Sequence, residues 1–163
     1  FLIFLSCNSN ETLEIDLNKD IISPKTYVVY KSTTPIIIDG KDDETIWKDT
    51  NFTDKFIDIE GVKIPNQSTR VKMLWDLDYL YIYAKLNEKH IWGDITERDQ
   101  VIFYNNDFEV FISPSNDTHN YGEIEVNALN TVWDLVLNKP YNVGGKPKNK
   151  WNALSEGNDP TDE

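Results

Sequence analysis

Polar side chains that could bind a ligand recur at every second position in two neighbouring stretches of this chain. The polar members of the pattern are Asp107, Glu109, Glu123, Glu125 and Asn127. Side chains of a strand point alternately to its two faces, so we expect these five on one face and apolar residues on the other. Carboxylates accept hydrogen bonds and amides also donate them, which favours a face that receives a polar ligand. The alternative is a charged face without function, which is common on exposed strands.

Paired carboxylates also raise the question of acid–base catalysis. Glu123 and Glu125 are two residues apart on one face, which places their carboxyl groups in the broad range that glycosidases use. Neighbouring carboxylates are common on strands, however, and no feature of the sequence indicates that one is shielded so that its pKa rises. His90 and His119 are far apart, and we expect both in surface loops. Since the sequence also lacks a nucleophile triad, a phosphate loop and zinc-ligand spacing, it predicts a domain without enzyme activity.

Several segments, in order along the chain, resemble the successive strands of family 9 carbohydrate-binding modules. They are PIIIDGKDDETIW, TRVKMLWDLDYLYIYAKL, NNDFEVFISP and EVNALNTVWDL. The resemblance covers about residues 35 to 155 and is closest to the family-9-like domains of Bacteroidetes proteins. It implies a β-sandwich that binds sugars of the glucan or xylan type without cleaving them, sometimes with structural calcium.

The same resemblance implies individual site residues. Glu109 occupies the position of a ligand-binding glutamate, where a carboxylate can accept two sugar hydroxyls, although a salt-bridged sheet residue is the alternative. Glu125 stands where the sugar-binding members carry arginine, and this change could favour calcium over sugar. Asn127 suits pairs of hydroxyls, or it satisfies a neighbouring strand. The stacking ring that those members place before the glutamate strand corresponds to Tyr104 or Trp92.

Three further tryptophans are predicted to be core residues. Trp47 ends the IDGKDDETIW turn and would fix that turn to the sandwich. Trp75 lies in an alternating apolar strand, and Trp133 shares its face with Leu135 and Leu137. A core role is therefore favoured over a sugar platform for each of them.

The predicted fold class is all-β: an antiparallel, jelly-roll-like β-sandwich with one short helical turn. Alternation and turn residues predict strands near 27–31, 35–38, 53–59, 69–76, 79–87, 107–113, 121–128 and 131–137. The helical turn should begin at Asp42 or Asp43, whose carboxylate could cap it, and end near Lys48. Residues 76–78 predict a tight hairpin, and residues 138–150 predict a long surface loop.

The charge of the chain limits its partners. A net charge of -12 argues against nucleic acid, because binding a phosphate backbone needs a basic stripe. Acidity instead fits a cation site or a sugar site with carboxylate acceptors. In the acidic loop 113–123, Asn116 and Asp117 are candidate calcium ligands, with a plain turn as the alternative. A haem site would need Met73 as an axial ligand, but its apolar surroundings favour the core.

The first residues, FLIFLSC, form an apolar run that is too short to span a membrane and ends at Cys7. This pattern favours the tail of a secretory signal that closes on a lipoprotein-type cysteine, although Phe4 stands where leucine is preferred. A simply cleaved signal or a buried strand is the alternative. We therefore predict residues 1–26 as signal remnant, lipid-anchor cysteine and tether, and residues 27–163 as a carbohydrate-binding sandwich that is incomplete at its C-terminus.

These observations predict non-catalytic carbohydrate binding by a secreted or lipid-anchored bacterial domain at the periplasmic or cell-surface side. Its partner would be a polysaccharide or oligosaccharide, and its role would be polysaccharide capture or degradation. The alternative is a structural or adhesion-type β-sandwich, stabilised by calcium, that does not bind sugar. A catalytic domain elsewhere in the gene is compatible with both.

Overall fold

The computed structural model describes residues 25–115 and 117–150, the last three of these by their backbone alone. These residues form two compact units, which divide between Leu86 and Asn87. Cys7 and Asn116 lie outside the described residues. No helix in the described ranges is long and apolar enough to cross a membrane.

The first unit contains a three-stranded sheet and one helical turn. Its elements are β1 (Tyr30–Lys31), α1 (Thr45–Lys48), β2 (Thr69–Trp75) and β3 (Leu80–Leu86). The strand order is β1-β2-β3, with β1 parallel and β3 antiparallel to β2. Asp76 forms the predicted β2–β3 hairpin, because its Oδ1 accepts hydrogen bonds from the amides of Asp78 and Tyr79.

A buried lysine lies in the core of this unit. Lys72, 2% exposed, donates to the carbonyl of Trp47 at 2.6 Å and pairs with Asp42 at 2.8 Å. Its ammonium group also lies 4.7 Å from the ring centre of Phe52 and 5.5 Å from that of Tyr83. The charge is therefore buried with both an anionic partner and aromatic faces, which reduces the cost of removing it from water.

The second unit contains a four-stranded antiparallel sheet in the order β4-β5-β6-β7. The strands are β4 (Asp107–Ile112), β5 (Tyr121–Asn127), β6 (Val132–Leu137) and β7 (Pro147–Lys150). Short 3-10 turns cover Ile102–Tyr104 and Tyr141–Val143. Ile102, Leu135 and Leu137 are buried and supply part of the core of this unit.

The all-β prediction is confirmed, since nearly all regular structure in the described residues is strand in two antiparallel-rich sheets. The strands predicted near 35–38 and 53–59 are wrong. Residues 53–56 run beside β2, where the amides of Thr53 and Phe56 donate to its carbonyls and the Val71 amide donates to the Thr53 hydroxyl, but no regular ladder forms. β7 lies in the predicted loop 138–150 and was not expected.

Two details of the first unit also differ from prediction. Helix α1 begins at Thr45 with Glu44 as its N-cap and no side-chain capping bond, and the carboxylate of Asp42 pairs with Lys72. Trp75 is 39% exposed, with the Lys31 ammonium 5.5 Å from its ring centre, so its predicted core position is wrong. Trp47 is 3% exposed, as predicted for a core residue.

Candidate functional site

Four carboxylates lie together on one face of the β4-β5 pair, and we call them the carboxylate cluster. They are Asp107, Glu109, Glu123 and Glu125. The strand register explains the arrangement, because Glu109 lies directly opposite Glu125 and Asp107 lies opposite Asn127. Opposite residues of an antiparallel pair share one face of the sheet. The predicted polar face is therefore confirmed.

Three members of the cluster are close enough to share one ligand. One oxygen from each of Asp107, Glu109 and Glu125 lies within 4.8 Å of the other two. Their burial is graded, since Glu109 is exposed, Asp107 is half-buried and Glu125 is only 2% exposed. The cluster is thus open to solvent at Glu109 and closed at Glu125.

Crowding of these carboxylates changes their proton affinity. Burial, followed by the charges of Glu109, Glu123 and Asp107, raises the pKa of Glu125 to about 8. Burial and then the charge of Glu109 raise the pKa of Asp107 to about 6. Burial also raises the pKa values of Glu109 and Glu123. The oxygens Oε2 of Glu125 and Oδ2 of Asp107 are buried without a hydrogen-bond partner among the described residues.

Tyr141 reaches the cluster from the segment that follows β6. Its hydroxyl donates to Oε2 of Glu123 at 2.9 Å, and burial together with this bond raises the pKa of the tyrosine. The chain turns tightly behind it, because a Cβ atom on Gly145 would lie 1.8 Å from the carbonyl oxygen of Lys139. The segment predicted as a loop therefore holds a ring beside the carboxylates.

Aromatic rings continue the same face on the β6 side. Trp133 is half-buried and pairs in register with Glu125, so its ring lies on the carboxylate face. The ring centre of Phe103 lies 6.0 Å from that of Trp133 and 4.8 Å from that of Tyr104. Phe103 is 51% and Tyr104 is 72% exposed. The three rings form a partly exposed aromatic row beside the carboxylate cluster.

Asn127 holds the loop before the site in place. Its Nδ2 donates to the carbonyl of Ile95 and to Oδ1 of Asn105, and its Oδ1 accepts from the amides of Leu129 and Thr131. These bonds use both protons and two acceptor sites of the amide, and the residue is 5% exposed. These contacts favour the alternative role of Asn127, support of the neighbouring loop, over contact with a sugar.

Trp92 lies on the loop that Asn127 and Asn105 support. Its side chain is 50% exposed. The next residue, Gly93, passes so close to this pair that a Cβ atom there would lie 3.3 Å from Oδ1 of Asn105 and 3.7 Å from Nδ2 of Asn127. Asn105 in turn accepts hydrogen bonds from the amides of Asp94 and Ile95. The loop carrying Trp92 is thereby fixed at the end of β5 that lies opposite Asp107.

Comparison with protein families assigns the domain. The model of the carbohydrate family 9 binding domain-like family matches residues 38–151, more than two thirds of the 163-residue chain. The chain belongs to this family. Neither the comparison with curated proteins nor that with solved structures found a significant match.

Carbohydrate-binding modules of this kind are non-catalytic. Glu125 has the raised pKa that a general acid needs. A general acid must also reach the substrate, however, and Glu125 is 2% exposed. Its high proton affinity is a consequence of burial and crowding.

The residues predicted for calcium lie elsewhere in the second unit. Asp117 accepts hydrogen bonds from Ser115 Oγ at 3.0 Å and from the His119 amide at 2.9 Å, and the His119 amide lowers its pKa. This is the pattern of a plain turn. Asn116 is outside the described residues. Among the described residues, the group of acidic side chains spaced for a metal ion is Asp107, Glu109 and Glu125.

Sequence reasoning placed Asp107 on the polar face without selecting it as a site residue, and it did not identify Trp133 or Tyr141 as ligand candidates. Asp107 was available from its spacing, since it lies two residues before Glu109. Trp133 was assigned to the core because it alternates with Leu135 and Leu137, although the same alternation also places it opposite Glu125. Tyr141 gave no local signal, because its contact with Glu123 spans 18 residues.

Proposed function

We propose that this family 9 domain binds a carbohydrate chain without cleaving it. The observation that carries the proposal is the aromatic row beside the carboxylate cluster on one sheet face. Aromatic rings pack against the C–H faces of sugars, while carboxylates accept hydrogen bonds from their hydroxyl groups. Membership of a carbohydrate-binding family supports the same function.

The exposed members of the site are the proposed contacts. Glu109 is the exposed carboxylate and would accept the hydroxyl bonds. Tyr104 is the most exposed ring of the aromatic row and would stack on a sugar, with Phe103 and Trp133 behind it. Trp92, half exposed on the supported loop, would supply a second ring.

The charge of the site favours neutral sugars. Four carboxylates repel a uronic acid, and Glu125 stands where the sugar-binding relatives have a cationic arginine. We therefore propose glucan- or xylan-type ligands, as the family resemblance implies, and a role in polysaccharide capture. Charged pectin-type chains should bind weakly.

An array of soluble and immobilised glycans tests this proposal. Binding to neutral β-glucans or xylans, with little binding to polygalacturonate and no release of reducing sugar, would support it. Release of reducing sugar by the purified chain would contradict the non-catalytic assignment. The absence of binding to every neutral glycan would favour the alternative, a structural or adhesion-type domain.

The place of action that we propose is outside the inner membrane of a bacterium, with Cys7 as a lipid-anchor site. Two or more acyl chains on one cysteine would give stable attachment, whereas one chain gives only marginal binding. Detergent phase partition of the full-length gene product, followed by mass spectrometry of the peptide containing Cys7, tests this. Recovery in the aqueous phase with unmodified Cys7 would leave secretion without an anchor.

A further inference from the structure

We propose that Asp107, Glu109 and Glu125 bind one divalent cation of the calcium type. This site is separate from the loop around Asp117, and the proposal does not require that the domain binds a sugar. It concerns the same sheet face, however, so a bound cation would lie beside the proposed sugar contact at Glu109.

The spacing of the three carboxylates carries the first step. Calcium binds oxygen at about 2.3 to 2.6 Å, so two oxygens on opposite sides of one ion lie about 4.6 to 5.2 Å apart. One oxygen from each of the three residues lies within 4.8 Å of the others. A calcium ion can therefore contact all three with little movement of the side chains.

Burial of an unsatisfied oxygen is an independent observation. Glu125 is 2% exposed, and its Oε2 has no hydrogen-bond partner among the described residues. Oδ2 of Asp107 is likewise a buried oxygen without a hydrogen-bond partner among the described residues. Buried polar atoms are nearly always partnered, and an exception indicates a functional role or a missing ion or water. A cation between these residues would satisfy both oxygens at once.

The donor atoms select the type of ion. All three are carboxylates, which favour calcium, magnesium and manganese over zinc or copper. Asp107 and Glu109 are on β4 while Glu125 is on β5, so the donors are fixed by the register of two strands. Calcium accepts six to eight oxygens in variable geometry, whereas magnesium demands a regular octahedron. Three carboxylates with an open side at Glu109 fit calcium better, with water filling the remaining positions.

The ion would also balance the charge of the face. None of the ion pairs found between described residues includes a member of the carboxylate cluster. Carboxylates directly opposite each other in a sheet destabilise it. A divalent ion between Glu109 and Glu125 would convert this repulsion into attraction, so binding should stabilise the fold.

Calcium binding to the full chain, in the absence of sugar, tests the proposal. After removal of metal with EDTA, calcium chloride is titrated by calorimetry and the thermal midpoint is measured with and without the ion. We expect one saturable site and a higher midpoint in calcium. Terbium should bind in place of calcium and luminesce by energy transfer from Trp133, which lies opposite Glu125. A chain that gives neither saturable heat nor a shift of the midpoint overturns the proposal.

Three variants locate the site. Glu125→Gln and Glu109→Gln should each weaken calcium binding at least tenfold, and Glu109 is exposed, so its variant is expected to fold even if the other does not. Asp117→Asn, in the acidic loop, is the matched control and should bind calcium as the parent does. Unchanged affinity in Glu109→Gln, or loss of binding in Asp117→Asn, would contradict the assignment. Glycan binding measured in EDTA, without the ion, reports on the proposed function alone.

Discussion

Glu109 and Glu125 lie directly opposite each other across β4 and β5, with their carboxylates on one face. Two like charges in this relationship destabilise a sheet. Burial and the charges of the neighbouring carboxylates together raise the pKa of Glu125 to about 8. A local arrangement that weakens the fold is typical of a functional site, where it is retained for a ligand.

The exposed partner of this pair gives the first prediction, which concerns sugar binding. Glu109→Ala removes a charged hydrogen-bond acceptor from the open end of the cluster, and this should weaken binding by roughly 1.5 to 3 kcal/mol. Calorimetry with a glycan identified on the array, in buffer with EDTA so that no ion is bound at Glu109, measures the change. Far-UV circular dichroism should remain that of the parent.

A matched substitution controls for surface charge. Glu60→Ala also removes one exposed carboxylate, but Glu60 lies in the first unit and pairs only with Lys63 among the described residues. Its affinity for the glycan should equal that of the parent. If Glu109→Ala and Glu60→Ala bind equally well, the proposed contact is wrong.

The second prediction concerns the core of the first unit. Trp47 is 3% exposed, and its ring centre lies 5.9 Å from that of Tyr83. Its backbone carbonyl accepts the hydrogen bond from Lys72. Trp47→Ala should lower the free energy of unfolding by about 3 to 5 kcal/mol. Trp75→Ala, at a ring that is 39% exposed, should cost less than half as much. Equal losses of unfolding free energy in the two variants, measured by urea unfolding, would show that exposure does not distinguish the two sites.

Alternation in the sequence was sufficient to predict most of the strands and the polar face. β2 to β6 each fall within two residues of a predicted strand, because each has apolar and polar residues in period two. Glu109 and Glu125 were chosen from the same pattern and lie together as expected. Period and register are local properties, so they can be deduced from the order of residues.

Long-range contacts account for what the sequence did not predict. Lys72 looks like a surface residue within an apolar strand, but Asp42 and Trp47, 30 and 25 residues away, provide its partners. β7 contains proline and lysine and forms only because β6 is available to pair with it. Asn127 was a reasonable sugar ligand by type, but its hydrogen bonds to Ile95 and Asn105 depend on how the preceding loop folds back.

The third prediction is a pH dependence that arises from the pair of Asp42 and Lys72. The hydrogen bond from Lys72 lowers the pKa of Asp42 from its usual 3.8. Because the folded pKa is the lower one, this pair stabilises the fold fully above about pH 4 and loses its contribution as the pH falls through the lowered value. Once Asp42 is protonated, the buried ammonium has no anionic partner among the residues that the structure describes.

The variant Asp42→Asn isolates this effect. At pH 7 it should be less stable than the parent by roughly 1 to 3 kcal/mol, towards the lower end because the Asp42 side chain is 33% exposed. The difference between parent and variant should shrink as urea unfolding is repeated from pH 5 down to pH 2. A difference in unfolding free energy that stays constant over this range would show that protonation of Asp42 does not remove the stabilisation by this pair.

The last prediction separates support of the site from contact with the ligand. Asn127→Ala removes the bonds that fix Ile95, Asn105, Leu129 and Thr131. Each buried group left without a partner costs about 1 to 3 kcal/mol, and the losses are not additive. We expect a loss of at least about 2 kcal/mol in the free energy of unfolding, with faster hydrogen exchange at the amides of Leu129 and Thr131.

Asn106→Ala is the matched control, because Asn106 is exposed and its amide donates a single described bond, to the carbonyl of His90. It should change stability by less than about 1 kcal/mol. If Asn127→Ala instead keeps the stability of the parent and loses glycan binding as Glu109→Ala does, Asn127 contacts the sugar directly. Its four internal hydrogen bonds would then have to break when the ligand binds, whereas a supporting role requires that they persist in the bound state.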